Sequence, residues 1–489
     1  MPILLVHHAR RVASEATEQD VEPCWTAVGS LVNPWPCDLL ASHIGDWYGH
    51  PDMDASRGNL MPQPSDIPAP AGPDFAPAEA DTARTAGADP HPDPVRASEG
   101  LREVGLAMSG GGLRATLFHL GALTRLREVG WLDRLDRISS VSGGSIMAAI
   151  LARAWPDLER DGFSDEAFRR HVTEPTLRFA SRRIDAFVIA AGLVPGVDPA
   201  ELLVRIFERE LTGSLTLADL PDRPRFVIDA ASLATGVSWR FSKPYMGDSR
   251  IGLVYAPKVS LARAVAASAA FPPFIAPLTL DLRGLTIETP IGADVLADPS
   301  HAALRDRVLL LDGGAYDNLG LEPVEGSCRI VLASDAGGDL VVDPRDRRYR
   351  LWGPILVRTL SMALEVGRAQ RRRALIDRAD AVKRLPAGDP LREDLRTEQV
   401  ALWRTSLDLT GLELPDGDTV ARGWSAYLAS RTARLWPMSR YDREHVVNWG
   451  YVTSDAILRR WIDELRDHDV PFRLPFPRAR FTLPPSQSA

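Results

Sequence analysis

The sequence predicts an α/β protein in which short buried strands alternate with helices. Val104–Met108 is a compact apolar run, and leucines then recur at helical spacing from Leu113 to Leu126. Arg137–Val141 has the composition of a second strand and precedes the helix-like segment IMAAILARAW. Such alternation is typical of a doubly wound sheet whose central strands are mostly parallel. Further candidate strands of the same kind are Arg225–Ala230, Val308–Leu311 and Arg329–Ser334.

The C-terminal third has a different character. Beyond Asp343 the chain is more polar, and its clearest helices are Leu356–Ile376 and Ser454–Leu465. We therefore expect an α/β core over residues 100–343 and a helical extension over residues 344–489 that packs on this core.

The N-terminal hundred residues are poor in packing side chains. Nine prolines lie between Pro62 and Pro94, mixed with alanine, aspartate and glycine. Such a stretch buries too little surface to order itself, so residues 61–99 are predicted to be a linker. Residues 1–60 then form an N-terminal extension without any recognisable chemistry.

Composition narrows the function classes. The net charge of −8 argues against a nucleic-acid partner, which would require a basic surface. The three cysteines show neither metal-ligand nor redox spacing, and the N-terminus lacks the pattern of a secretory signal. We therefore expect a cytoplasmic protein without disulfides, catalytic metal or cofactor.

The first constellation that carries chemistry is Ser140–Gly144, between a predicted strand and a predicted helix. This is the spacing of a nucleophile elbow centred on Ser142, with serine in place of the usual first glycine. Small residues suit the sharp turn, and the dipole of the following helix favours developing negative charge. A glycine and serine loop that merely caps the helix is the competing interpretation.

The second constellation is the glycine loop Ser109–Ala115, which also lies between a strand and a helix. Consecutive glycines expose N–H groups and admit a substrate oxygen, as an oxyanion hole requires. A phosphate cradle for a nucleotide is the alternative. Ala115 replaces the third glycine of that fingerprint, and only Asp133 lies near the position of a ribose-binding acid.

The third constellation is Leu311–Asn318, with sequence LDGGAYDN, directly after an apolar run. If that run is a parallel strand, Asp312 lies at the sheet edge where such folds place their sites. A carboxylate is a weak base for serine unless burial raises its pKa or close placement compensates. Taken alone, the motif is also compatible with a simple Asp-Gly turn.

Together, the three motifs resemble the patatin-like phospholipase family in order and context. SGGGLRA and DGGAYDN are also similar to the cytosolic phospholipase A branch of that superfamily, and Ala267–Phe274 is similar to its small-residue and proline segment. The resemblance covers residues 102–340 and extends thinly to Asn448–Tyr451. It implies a three-layer α/β/α fold with a mostly parallel central sheet.

The resemblance also implies roles for single residues. Ser142 attacks an acyl carbonyl, and Asp312 takes its proton. The oxyanion hole is expected from the N–H groups of Gly110, Gly111 and Gly112. Arg114 is expected to orient the loop or to meet a phosphate headgroup. Supporting positions are Gly144, Gly313 and Gly314.

A Ser-His-Asp triad is the nearest catalytic alternative, since His445 and His468 follow Asp312 in the order of the α/β-hydrolases. Neither histidine sits in a recognisable motif, and charged residues flank both, so we expect solvated surface side chains. His119 lies on the helix after the glycine loop and is expected to pack or to form hydrogen bonds.

Two segments are candidates for lipid contact and hence for peripheral membrane binding. Ile184–Val194 is apolar and suits a lid or acyl-pocket wall, or a buried core helix. Arg368–Arg378 is strongly basic and suits anionic headgroups, or a solvated helix face paired with acids.

The sequence therefore favours a serine acyl hydrolase acting on phospholipids or lysophospholipids. The alternatives are an esterase or thioesterase on soluble esters and, from another class, a nucleotide-binding or scaffold protein.

Overall fold

The computed structural model describes most of the chain beyond residue 101. The N-terminal extension and linker expected over residues 1–99 lie outside the described residues. The described residues are 102–184, 187–188, 191, 196–289, 295–338, 340, 352–386, 389, 392, 396–431, 435–483 and 485.

A ten-stranded sheet forms the centre of the described chain. Half of it is parallel and consists of β1 (Arg102–Met108), β2 (Arg137–Val141), β3 (Arg225–Ser232), β9 (Cys328–Asp335) and β10 (Gln399–Arg404). These strands lie in the order β10-β9-β1-β2-β3, and all four neighbouring pairs are parallel. The predicted α/β class with parallel central strands is confirmed.

The other half of the sheet is antiparallel. Its strands are β4 (Ser238–Ser242), β5 (Tyr245–Asp248), β6 (Gly252–Tyr255), β7 (Leu278–Asp281) and β8 (Arg307–Asp312). β4, β5 and β6 continue from β3 as a meander, whereas β8 pairs with both β3 and β7. Only β8 of these five strands was predicted, because the others are four or five residues long and carry polar or glycine residues.

Helices connect the strands and continue into the C-terminal part. Those between strands are α1 (Gly112–Glu128), α2 (Gly143–Arg160), α3 (Asp165–Phe168), α4 (Glu174–Phe179), α5 (Pro199–Phe207), α6 (Leu261–Ser268), α7 (Gly314–Asp317) and α8 (Trp352–Arg384). After β10 come α9 (Trp424–Ala429) and α10 (Arg440–Trp461). None of the described helices is long and apolar enough to cross a membrane.

Helices cover both faces of the parallel strands, because successive strand residues point in opposite directions. On β1, Leu106 and Met108 face the large core, whereas Ala107 faces a smaller cluster. Leu375 of α8 belongs to that smaller cluster. The sheet is therefore buried between two layers, as the apolar composition of its central strands predicted.

The C-terminal helix α10 packs directly against α1. Arg125 of α1 and Asp455 of α10 form an ion pair of 2.7 Å, and both side chains are buried. Leaving either charge without its partner inside the protein would cost several kcal/mol, on the order of 3–5 kcal/mol. The helix that follows the glycine loop is therefore anchored by the last third of the chain.

Candidate active site

Ser142 occupies a sharp turn between β2 and α2. Its backbone has φ 52° and ψ −116°, a conformation that is costly for any residue other than glycine. A Cβ atom on the next residue, Gly143, would lie 2.1 Å from the carbonyl oxygen of Gly112. Only glycine fits there, so the serine turn and the glycine loop touch backbone to backbone.

Asp312 ends β8 beside this turn, and hydrogen bonding by the Ser142 side chain lowers the pKa of its carboxyl. The Gly314 N–H also donates to Asp312 Oδ1 at 2.8 Å. Burial raises the pKa of Asp312 to about 6, although both hydrogen bonds act in the opposite direction. The carboxyl is thus a stronger base than an exposed aspartate and is still largely ionised at neutral pH.

The strand that carries Asp312 is antiparallel to its neighbour, and the expectation of a parallel strand was wrong. β8 pairs with the last residues of β3, with Ala230 opposite Asp312 and Ser232 opposite Leu310. Because β3 extends beyond the end of β2, β8 pairs with this overhang and runs back toward β2. Asp312 therefore still arrives at the carboxyl end of β2, where Ser142 lies.

The glycine loop faces Ser142. Gly111 has φ 140° and Gly112 has φ 58°, values that disfavour side chains and turn the loop toward the cavity. The N–H of Gly110 already donates to the carbonyl of Asn318 at 3.0 Å. Contrary to expectation, Gly110 is therefore not a free donor. The N–H groups of Gly111 and Gly112 have no acceptor among the described residues.

Ser142, Asp312 and the glycine loop open into a single cavity of about 350 Å³. Apolar side chains form much of its wall, while Arg114, Asn318, Glu365 and Arg368 supply polar groups. The apolar lining consists of Ala269, Phe271, Phe274, Ile275, Val357, Leu364 and Leu435. A nucleophile, a base and unpaired N–H donors beside an apolar wall suit acyl transfer from an apolar substrate.

Residues 106–324 match the family model described as patatin-like phospholipase. That range contains the glycine loop, Ser142 and Asp312 in the order described above. This part of the chain is therefore similar to a patatin-like phospholipase domain, and the resemblance expected from the sequence motifs is confirmed.

Solved structures of other proteins are similar at low identity. Human GIVD cytosolic phospholipase A2 with methyl γ-linolenyl fluorophosphonate and terbium is 16% identical, with a TM-score of 0.38 over 75% of this chain and 59% of that one. VipD from Legionella pneumophila is 15% identical, with a TM-score of 0.32 over 74% and 67%. In another structure of the human enzyme, the match covers half of each chain, with 14% identity and a TM-score of 0.33. No curated protein matches the chain by sequence.

The Arg114 side chain is hydrogen-bonded to backbone carbonyls from two distant segments of the chain. Its Nε donates to the carbonyl of Ala336 at 3.2 Å, and its Nη1 donates to the carbonyl of Ala429 at 2.7 Å. The side chain is 4% exposed. These contacts support the first of its two expected roles, orienting the glycine loop, because they tie α1 to the segment after β9 and to the end of α9.

The basic segment Arg368–Arg378 pairs with acids, as one of its two interpretations expected, but Arg368 and Arg372 are largely buried rather than solvated. Arg368 and Arg372 of α8 both pair with buried Asp335, at 3.3 and 2.8 Å, and both also pair with Glu365. Arg371 lies over the ring of Tyr316, at 4.9 Å from its centroid. These guanidinium groups lock α8 onto the end of β9.

His119 of α1 is hydrogen-bonded to the first residue of the glycine loop. The Trp403 indole N–H donates to Ser334 Oγ at 2.9 Å, and Ser334 Oγ lies 2.7 Å from His119 Nδ1. His119 Nε2 lies 2.9 Å from the carbonyl of Ser109, so a neutral ring donating from Nε2 satisfies every partner. Burial lowers the pKa of His119 to about 4, which keeps this ring neutral.

Neither C-terminal histidine reaches the cavity, and the expectation of solvated side chains was wrong. His445 is buried and stacks on Trp424 with ring centroids 4.6 Å apart. His468 has a side chain only 8% exposed and lies 3.7 Å from Asp455. Aromatic and charged neighbours of the C-terminal core thus enclose both rings.

The described part of the apolar segment from Ile184 does not line the cavity of Ser142 and Asp312. Ile184 and Phe187 line a second cavity of about 470 Å³ together with residues of α5, and neither lines the cavity of Ser142. The rest of this segment, for which a lid, an acyl-pocket wall or a buried core helix was considered, falls largely outside the described residues.

Sequence reasoning missed several residues that shape the site. Ser268 accepts a hydrogen bond from the Ser142 N–H at 2.9 Å, and Asn318 holds the glycine loop through its carbonyl. The segment Ala267–Phe274 was noted only for its resemblance to the family. The cavity wall from α8 and Leu435 carries no motif, since apolar helix residues do not reveal which face they line.

Proposed function

We propose that the protein is a serine acyl hydrolase that releases fatty acids from phospholipids or lysophospholipids through a Ser142–Asp312 dyad. Ser142 and Asp312 line one apolar-walled cavity that also presents the Gly111 and Gly112 N–H groups, and this arrangement supports the proposal most strongly.

Acylation is the first half of the proposed reaction. Asp312 accepts the hydroxyl proton of Ser142 while Ser142 Oγ attacks the ester carbonyl carbon. The carbonyl oxygen becomes negative and takes hydrogen bonds from Gly111 and Gly112, aided by the N-terminus of α2. The ester bond then breaks, the departing alkoxide takes the proton from Asp312, and the acyl chain remains on Ser142.

Deacylation uses the same groups with water as nucleophile. Asp312 accepts a proton from a water molecule, whose oxygen attacks the acyl carbonyl carbon. The same N–H donors stabilise the second oxyanion. Collapse breaks the bond to Ser142 Oγ, which recovers its proton from Asp312, and the fatty acid leaves.

The cavity wall and the exterior of α8 favour lipid aggregates over soluble esters. Residues of α8 such as Leu364 line the cavity, while Ile355, Leu356, Met362 and Val366 of the same helix are 45–57% exposed. An exposed apolar helix face beside the cavity suits peripheral contact with a membrane.

The position of Asp133, the candidate ribose-binding acid, argues against the nucleotide-binding alternative. Asp133 lies past the C-terminal end of α1, whereas the glycine loop precedes its first turn, about 25 Å of helix away. The buried carboxylate of Asp312 beside the loop would also repel phosphate.

We also propose residues 100–343 as the catalytic core and 344–489 as a part that packs on it and completes the cavity wall. We also propose a cytoplasmic location, which the spacing of the three cysteines supports because it fits no disulfide framework.

The direct experiment combines labelling by a fluorophosphonate probe with fatty-acid release from mixed phospholipid vesicles. We expect wild type to react in both assays. Ser142→Ala should abolish labelling, and Asp312→Asn should slow both reactions by about three orders of magnitude or more.

Ser361→Ala is the matched control, because Ser361 also lines the cavity but donates its hydroxyl to the carbonyl of Val357 at 2.7 Å. It should label at the wild-type rate. Labelling that persists in Ser142→Ala would exclude Ser142 as the nucleophile. Faster turnover of monomeric esters than of vesicles would favour a soluble esterase.

A further inference from the structure

Ser268, the last residue of α6, is fully buried directly behind the turn that carries Ser142. Its hydroxyl oxygen has three hydrogen-bond partners. The Ser142 N–H lies at 2.9 Å, the carbonyl of Asp229 at 2.6 Å and Ser145 Oγ at 2.8 Å.

Counting protons fixes the direction of two of these bonds. A serine hydroxyl has one proton to give and two lone pairs that accept. The carbonyl of Asp229 can only accept, so it receives the Ser268 proton. A lone pair of Ser268 Oγ then accepts from the Ser142 N–H. Ser145 Oγ lies beside this hydroxyl at 2.8 Å and donates to Ser140 Oγ at 3.1 Å.

The backbone beside Ser268 holds the base. Its carbonyl accepts the N–H of Gly313 at 3.2 Å, and the carbonyl of Ala270 accepts the N–H of Asp312 at 2.9 Å. The short segment from Ser268 to Ala270 thus binds the main chain of the nucleophile on one side and that of the base on the other.

We propose that Ser268 is a positioning residue for the hydrolysis, holding the Ser142 turn at a fixed separation from Asp312. The inference rests on the proposed Ser142–Asp312 dyad. Ser268 touches no reacting atom, and it acts through the main chain of Ser142.

The turn needs such support because its backbone is strained. At φ 52° Ser142 occupies a conformation that persists only when its surroundings hold it. Without the Ser268 hydroxyl, the Ser142 N–H loses its acceptor and the turn can relax away from Asp312. A misplacement of about 1 Å at a reacting group lowers rates by about 100-fold.

The experiment compares Ser268→Ala with Ser145→Ala. Both remove a buried hydroxyl from the same hydrogen-bond group, but of these two hydroxyls only that of Ser268 bonds to the Ser142 main chain. We expect Ser268→Ala to lower kcat on a soluble ester and the rate of fluorophosphonate labelling by about 100-fold, with KM changed less than threefold. Ser145→Ala should stay within a few-fold of wild type.

The pH profile supplies a readout that loss of stability alone would not change. The hydrogen bond from Ser142 lowers the pKa of Asp312 against the effect of burial. Weakening that bond should move the acidic limb of kcat/KM to higher pH in Ser268→Ala. In Ser145→Ala the limb should stay where it is in wild type.

Equal labelling rates for Ser268→Ala and wild type would overturn the proposal, as would equal losses in the two alanine variants. If Ser268→Ala does not fold, Ser268→Cys decides the question. If Ser268→Cys labels tenfold more slowly while its melting temperature equals that of wild type, the positioning role is supported. An unchanged labelling rate overturns it. Ser142→Ala distinguishes the alternatives, because wild-type labelling there would refute the dyad itself rather than the role of Ser268.

Discussion

The two residues of the proposed dyad reach the cavity by opposite routes. Ser142 leaves the end of β2, a parallel strand in the middle of the sheet. Asp312 ends β8, which is antiparallel to the overhanging end of β3. The two strands approach one another from opposite directions, and their carboxyl ends meet at one level of the sheet.

The two residues also differ in the kind of free-energy cost that their native surroundings impose. At Ser142 the cost is conformational, since the backbone is strained and packs against the carbonyl of Gly112. At Asp312 the cost is electrostatic, since a carboxyl with 4% exposure has to ionise. We therefore expect substitutions near Ser142 to act mainly by changing side-chain size, and substitutions at Asp312 to act mainly by changing charge.

The largest effect is expected from a substitution in the turn that carries Ser142. In Gly143→Ala, the new Cβ would meet the carbonyl of Gly112 at 2.1 Å and push the turn away from the glycine loop. We expect kcat/KM to fall about 1,000-fold, the effect of losing an oxyanion donor. Gly367→Ala on α8 is the matched control, because its Cβ meets no atom within 4 Å. Wild-type activity in Gly143→Ala would show that close contact is unnecessary.

The next effect concerns the stability of the aspartate side. The folded state raises the pKa of Asp312 from 3.8 to about 6. Stability from the protonated carboxyl is therefore complete below about pH 3.8 and is lost as the pH rises through 6. Asp312→Asn removes the buried charge and should gain roughly 3 kcal/mol at pH 8 in urea unfolding. The gain should shrink toward pH 4, and a loss of stability at pH 8 would contradict this picture.

The smallest effect is the pH dependence of the reaction. Asp312 accepts a proton only when ionised, so kcat/KM on a soluble ester should rise with pH and reach half its maximum near pH 6. Below that, it should fall about tenfold per pH unit. Burial raises the pKa of Asp229 to about 7, and this carboxyl does not line the cavity. The limb should therefore remain in Asp229→Asn, and its disappearance there would assign it to Asp229.

Sequence patterns were sufficient to predict four of the five strands in the parallel half of the sheet, β1, β2, β3 and β9. Strands β1, β2, β3 and β9 are compact apolar runs followed by helices or glycine loops, and each was predicted within a few residues. β10 was missed because QVALWR lies in a polar region and gains its strand conformation by pairing with β9.

At the site, local motifs predicted which residues matter but not how they meet. Nothing in LDGGAYDN reveals that its strand is antiparallel, because that depends on the length by which β3 outruns β2. The engaged N–H of Gly110 and the three bonds of Ser268 join segments 39 to 208 residues apart, beyond the reach of any spacing rule.

The contributions of α8 and Leu435 to the cavity wall have a consequence for synthesis of the protein. The two proposed catalytic side chains are translated by residue 312, but Val357, Leu364 and Leu435 follow them in the chain. The α10 anchor of α1, Asp455, is translated later still. A ribosome-bound or truncated chain that ends before Leu435 would thus hold both proposed catalytic side chains without a finished cavity wall, so the proposed lipid cleavage would have to await synthesis of these later segments.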